Sequence, residues 1–177
     1  VIMEIAIRKL DLSNIHQVNR FNRKFTVNSK LVLSLENGKL IYSIVPVPPY
    51  EKEIPVEEVD VPAFINSDEK VIFLADVQGD PAGQIKVTTW WNQFAYIDDL
   101  IVNPEFRGQG VGQALMGRAI EWAKAKRFPG IMLETQDDNV PACRFYEKCG
   151  FILGGFDGYV FKNIKPNETA LYWYLIF

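Results

Sequence analysis

At positions 107–112 the chain reads RGQGVG, and a helix-patterned run, QALMGRAIEWAKAK, follows directly. Glycine destabilises a helix by roughly 0.5–1 kcal/mol relative to alanine, so three glycines at a helix start need a reason. A helix N-terminus presents unpaired N–H groups and the positive end of the helix dipole, and glycine lets backbone close on a ligand. Together these features make an anion site suited to a pyrophosphate, to which Arg107 adds a charge-assisted contact. The candidate ligands are Arg107, Gly108, Gln109, Gly110, Val111, Gly112 and Gln113. Two common phosphate loops fail here. A P-loop needs Lys and Ser or Thr after its second glycine, and Gly112 is followed by Gln113. A dinucleotide fingerprint starting at Gly108 and Gly110 needs Gly or Ala where Gln113 stands. On these residues alone, a glycine-rich tight turn without a ligand stays open beside the anion site.

Other chemistry has few residues to use. The only cysteines, Cys143 and Cys149, lack CxxC spacing, so neither a disulfide framework nor a zinc site is expected, and a reducing cytoplasm fits. The one histidine, His16, is far from every other informative stretch and reads as a surface residue. Nineteen Lys and Arg against 22 Asp and Glu give a net charge of −3. That disfavours nucleic acid as a partner and suits a cationic small molecule. No run of 18 apolar residues and no signal-peptide pattern occur, so no membrane association is expected. Val1 and Ile2 precede the first methionine, Met3, and are expected to be added residues.

The elements that must position the loop follow from patterning. The 177 residues, 48% apolar, fit a single domain over 1–177. Residues 3–8 read as a strand, and 13–21 as a short helix capped by Ser13. Short β-like runs at 31–35 and 40–45 flank an Asn37-Gly38 turn. Between 46 and 62 stand five prolines and five acids, an expected irregular, solvated connection, with an acidic lid over a cationic substrate as the functional alternative. VIFLADV (71–77), QIKVTTWW (84–91) and FAYIDDLIV (94–102) read as an antiparallel meander with turns at Gly79-Asp80 and Asn92-Gln93. A helix at about 110–127, a strand at 130–136 and a helix at about 139–149, stopped by Gly150, come next. Strands are expected near 151–162 and 170–177. The fold class is α/β: a mixed, largely antiparallel sheet with flanking helices.

The RxxGxG pattern of Arg107, Gly110 and Gly112 resembles motif A of the GNAT superfamily of acetyl-CoA-dependent N-acetyltransferases. NVPACRFYEKCGF (139–151) resembles that family's NxxAxxxYxKxGF segment. The two motifs keep the family's order and spacing, and the resemblance spans about residues 71–162. The segments at 91–102, 133–151 and 167–174 are also similar to streptothricin (nourseothricin) acetyltransferases. Those enzymes confer antibiotic resistance by acetylating an amine of the drug's β-lysine moiety. Residues 1–62 are less diagnostic. The resemblance implies acetyl-CoA as cosubstrate and two central parallel strands, about 95–102 and 130–136, that splay at the coenzyme site. It implies pantetheine contacts from the main chain of Leu100, Ile101 and Val102, and from Asn139 and Ala142. N-acetylation of a polyamine, another aminated antibiotic or a protein N-terminus stays open, as does a coenzyme A sensor without turnover. Either a monomer or a homodimer is compatible.

Acetylating an alkylamine requires losing a proton first. With a reference pKa of about 10.4, the neutral amine costs roughly 4–5 kcal/mol near pH 7. A carboxylate or water chain must take that proton, and an acid must protonate the departing thiolate. Tyr146 is the expected acid, on a helix face with Ala142, Phe145 and Cys149. Asp98 leads as base, because in a regular strand it shares a face with Tyr96, Leu100 and Val102. A β-bulge would switch that parity and promote Asp99, and Glu134 is the third candidate; for each, holding the cationic substrate by charge or a paired structural role stays open. Backbone N–H groups near Leu100–Val102 would polarise the thioester carbonyl, as the family implies. Cys143 is read as packing, not as an acyl carrier. Trp90, Trp91, Tyr172 and Trp173 are expected in the core, with a substrate wall as the alternative.

Overall fold

The computed structural model describes residues 3–177, and Val1 and Ile2 lie outside the described residues. Two compact units form. The first holds the described residues up to Arg23 with Ile54–Ile131, and the second holds Lys24–Glu53 with Met132–Phe177.

In the first unit, β1 (Ile5–Lys9), β4 (Lys70–Val77), β5 (Asp80–Thr89) and β6 (Ala95–Val102) are neighbours in that order, all antiparallel. The β4–β5–β6 meander forms as expected, with β4 and most of β5 buried on both faces. Its first turn sits one residue earlier than expected, on Gln78 and Gly79, which take the positive φ angles (52° and 93°) of a two-residue hairpin. Helix α1 (Val111–Ala125) buries Val111, Leu115, Met116, Ala119 and Ala123, the 3.6-residue stripe a sheet-packed helix needs. It leads to β7 (Gly130–Gln136), whose Gly130 and Ile131 belong to this unit and which runs parallel to β6. A crossover helix is what parallel neighbours require.

Residues 13–21 do not make the expected helix. Only a 3₁₀ turn forms, at Ile15–Gln17, and Ser13 caps nothing. The Asp11 carboxylate accepts from the backbone N–H groups of Ser13 (2.7 Å) and Asn14 (3.3 Å), a local turn that competes with helix. Val18 and Phe21 from this stretch, with Leu10 before it, pack with Phe64, Ile72, Leu74 and Ile101.

In the second unit, β7 continues beside β9 (Ala170–Ile176), which pairs with β8 (Ile152–Asp157). Helix α2 (Val140–Lys148) ends before Gly150, at φ 92°. A separate ribbon joins β2 (Lys24–Glu36) to β3 (Lys39–Glu53) through Asn37-Gly38. These strands of 13 and 15 residues replace both the short runs and the first half of the irregular 46–62 connection. Val27 pairs with Tyr50 and Ser29 with Pro46, so Val47, Pro48 and Pro49 sit opposite Asn28 alone. A bulge absorbs the prolines, which cannot donate to a ladder. Only residues 54–60 remain irregular before a 3₁₀ turn at Val61–Phe64.

Candidate active site

The glycine loop has the geometry an anion needs. Gly108 and Gly110 take φ angles of 73° and 92°, which L side chains rarely adopt. Gly110 is the N-cap of α1, so no side chain caps the first turn and its N–H groups are presented by backbone alone. A Cβ at Gly108 would meet nothing within 4 Å, so the loop backbone is bare on that side. Arg107 Nε donates to Val102 O (2.9 Å), which ties the loop to the end of β6, and Gln109 Nε2 donates to Glu105 O (2.6 Å) in the turn between them. Burial lowers the pKa of Arg107, but a guanidinium remains charged. These residues fit the diphosphate of a coenzyme A.

Just upstream, β6 carries the bulge. Lys86 pairs with Asp99 and Val87 with Ile97, so Asp98 is the extra residue. The bulge does not exchange one carboxylate for the other; it sends both to one face of β5. Gln84, Lys86 and Thr88 alternate on that face. Gln84 Nε2 donates to Asp99 (2.6 Å), and the Thr88 hydroxyl donates to Asp98. The two acids are then treated differently. Asp99 accepts a fork from Arg23, Nη1 at 2.8 Å and Nη2 at 2.9 Å. Asp98 keeps one buried oxygen, Oδ2, without a hydrogen-bond partner. Burial pushes its carboxyl up to about 6, with Glu57 and Asp99 acting the same way against Thr88 and Lys86. That value suits a group that takes a proton near neutrality.

The second unit holds the other candidates. Asn139 caps α2, its side chain accepting from Ala142 N at 3.3 Å. The preceding loop is held firmly. Asp138 accepts from Tyr50 Oη (2.9 Å) and Lys52 Nζ (2.7 Å), and Leu31 N donates to Asp137 O (2.8 Å). On α2 the buried positions are Val140, Cys143 and Tyr146, so Ala142, Phe145 and Cys149 flank the buried stripe and do not form it. The Tyr146 ring packs on Phe145 and Phe151, at 5.5 and 5.7 Å between centroids. Glu134 accepts from Tyr172, and burial followed by Asp157 raises its pKa. Burial pushes the Cys143 thiol up to about 11, beside Thr135 Oγ1 at 3.5 Å, so it is no nucleophile at neutral pH.

Of the four aromatics expected in the core, Trp173 is there at 1% exposure, while Trp91 is 81% exposed. Strand β5 ends at Thr89, which leaves Trp91 in the following loop. Trp90 stacks on Tyr96 at 4.2 Å, and Tyr172 is partly buried beside Glu134. Thus Asp98, Asp99, Leu100–Val102 and the 107–113 loop share one unit, and Glu134, Asn139, Ala142 and Tyr146 share the other. Sequence reasoning missed Arg23, Gln84, Lys86, Thr88 and Glu57. The available signal was the polar stripe Gln84, Lys86, Thr88 in an otherwise apolar strand.

Known proteins extend this picture over the whole chain. Residues 40–151 match the acetyltransferase (GNAT) family. Streptothricin acetyltransferase A of Bacillus subtilis (strain 168) is 38% identical over 97% of this chain and 99% of its own. A protein described as a streptothricin acetyltransferase from Bacillus anthracis str. Ames, solved in complex with acetyl coenzyme A, superposes with a TM-score of 0.92. It is 41% identical over 98% of this chain and all of that one. A nourseothricin acetyltransferase gives a TM-score of 0.80 at 30% identity, covering 97% of this chain and 98% of that one. No helix among the described residues is long and apolar enough to cross a membrane. The glycine loop that opens α1, the motif that follows it on α2 and this end-to-end likeness lead to one conclusion: the chain belongs to the GNAT acetyltransferase family and is an acetyl-CoA-dependent N-acetyltransferase.

Proposed function

We propose that this enzyme acetylates an amine of the β-lysine moiety of streptothricin and so confers resistance to that antibiotic, residues 1–177 acting as one catalytic domain. The observation that carries the reading is the extent of the likeness. It covers nearly all of the Bacillus subtilis relative, including the β2–β3 ribbon and both ends outside the 40–151 family match.

Transfer is direct, from acetyl-CoA to the amine in a ternary complex. The high pKa of buried Cys143 supports this, because a ping-pong route needs a nucleophile that the cysteines do not supply. Asp98 takes the proton from the substrate ammonium; its buried, unpartnered oxygen and its pKa of about 6 support that role. Asp99 holds the strand through Arg23. Glu134 is the reserve acceptor. The neutral amine attacks the acetyl carbonyl, and the N–H groups near Leu100–Val102 stabilise the oxyanion. The intermediate collapses with C–S cleavage, Tyr146 gives its proton to the departing thiolate, and the second proton leaving the attacking nitrogen returns to the Tyr146 oxygen through water. Loop 107–113 binds the coenzyme diphosphate, and Asn139 and Ala142 contact the pantetheine arm.

Thiol release from acetyl-CoA tests the reading, with streptothricin, spermidine or a peptide as acceptor. Release with streptothricin, and mass spectrometry placing one acetyl group on its β-lysine, is the expected result. Release with spermidine or peptide alone would discard the antibiotic as the main substrate. Coenzyme binding without release on any amine would point to a sensor.

A further inference from the structure

A lysine buried to 2% exposure needs an explanation, because an unpaired ammonium is among the most costly groups to desolvate. Lys86 stands directly opposite Asp99 in the β5–β6 register. Its neighbours two residues away on the same face, Gln84 and Thr88, hydrogen-bond Asp99 and Asp98 respectively. On the opposite face Ile85 and Val87 fill comparable buried positions with hydrocarbon. Packing alone would therefore be served by an apolar side chain, and the charge is what must be accounted for.

The charged groups facing Lys86 come from three elements. Asp98 and Asp99 lie on β6, Arg23 on the segment before β2, and Glu57 on the irregular connection after β3. Arg23 is committed to Asp99 through both terminal nitrogens, with a side chain only 3% exposed. Thr88, which donates to Asp98, is neutral. Burial lowers the pKa of Lys86, with Arg23 acting the same way, while Asp99, Asp98 and Glu57 favour its charged form. Lys86 is thus the cation left to balance Asp98, whose ionisation Glu57 and Asp99 both oppose.

We propose that Lys86 is a positioning residue for acetyl transfer, supplying the positive charge that keeps the Asp98 carboxylate ionised at neutral pH. The inference rests on the reading of Asp98 as proton acceptor. Lys86 acts on Asp98 and touches neither the amine nor the thioester.

The test compares wild type with Lys86→Met, Lys86→Gln and Lys86→Arg, read as kcat/KM against pH and as the ¹³C titration of the Asp98 carboxyl, assigned with Asp98→Asn. In Lys86→Met or Lys86→Gln, both the acid limb and the Asp98 midpoint should rise by about one pH unit or more. That gives about a fivefold or greater loss of kcat/KM at the wild-type midpoint, approaching tenfold at lower pH, and little loss at alkaline pH. Lys86→Arg should keep the wild-type limb. An unmoved midpoint, or an equal loss at every pH, would overturn the assignment. Lys86→Gln serves if the methionine variant fails to fold. If Asp98→Asn keeps its rate and its acid limb, the reading of Asp98 falls, and the carboxyl titration still reports on Lys86. If Asp98→Asn loses its rate while Lys86→Gln leaves the Asp98 midpoint in place, only the Lys86 inference fails.

Discussion

Arg23 holds Asp99 with a two-pronged fork, at 2.8 and 2.9 Å, although 76 residues separate them in the chain. The neighbouring Asp98 keeps a buried oxygen without a partner. Two adjacent carboxylates on one sheet face thus have opposite environments, the usual condition for dividing structural from chemical work. Asp99→Asn removes one partner of a buried pair and leaves Arg23 uncompensated, a change of about 3–5 kcal/mol against folding. Urea unfolding at pH 8 should show that loss for Asp99→Asn and none of comparable size for Asp98→Asn. Equal stability of the two variants would mean that the fork contributes nothing net.

The raised Asp98 pKa also predicts how stability and activity trade against each other. In the unfolded chain this carboxyl titrates at its ordinary 3.8; in the folded chain it titrates at about 6. Below 3.8 both states hold the proton, and the group imposes no penalty. Between those values the unfolded chain ionises first, so stability falls as pH rises. Above 6 the full penalty remains. Asp98→Asn should therefore unfold like wild type near pH 3.5 and be more stable than wild type at pH 8, while losing most of its turnover. The wild-type kcat/KM should rise with pH through a midpoint near 6. Wild-type stability at pH 8 equal to or above that of Asp98→Asn would mean the carboxyl is not destabilised by its site.

Gly110 carries the coenzyme loop through a φ of 92° at the N-cap of α1. Any L residue is strained there by roughly 1–2 kcal/mol. Gly110→Ala should lower the unfolding free energy by about that amount, and its nearest obstacle, Ile5 Cδ1 at 3.8 Å from the added Cβ, is ordinary contact. Gly110→Glu adds a negative charge where a diphosphate is expected, and titration calorimetry should find acetyl-CoA binding abolished. Retained affinity in the glutamate variant would displace the pyrophosphate from this loop.

The meander, both helices and the glycine loop were legible because each is coded locally: short apolar runs rich in β-formers, a stripe of period 3.6, and turn residues between them. The ribbon was not, because Pro48 and Pro49 argue against a strand until a bulge opposite Asn28 gives them a place. The helix expected at 13–21 failed for the converse reason, a local Asp11 turn that outcompetes weak periodicity. Strand parity nominated Asp98, a bulge would promote Asp99, and the family motif supported Tyr146, but the choice between the two aspartates depends on a register. The bulge at Asp98 is set by pairing with β5, and Arg23 reaches Asp99 only through the tertiary fold. Lys86 is one charged residue inside the run read as a strand. Its burial is a property of the layers around β5, which no window of sequence contains.

Tyr146 is the candidate whose test separates chemistry from packing most cleanly. Its ring lies against Phe145 and Phe151 within the second unit and is 7% exposed. Tyr146→Phe keeps the ring and removes one oxygen, so those aromatic contacts and the core volume are retained. If the hydroxyl protonates the departing thiolate, kcat should fall about 10²-fold or more, the usual contribution of a positioned acid. Acetyl-CoA affinity by calorimetry should stay near wild type, since the expected diphosphate contacts lie in the 107–113 loop. An equal loss of kcat and of coenzyme affinity would assign Tyr146 to binding. Unchanged turnover would remove it from the mechanism and turn attention to Glu134 or water as the proton source.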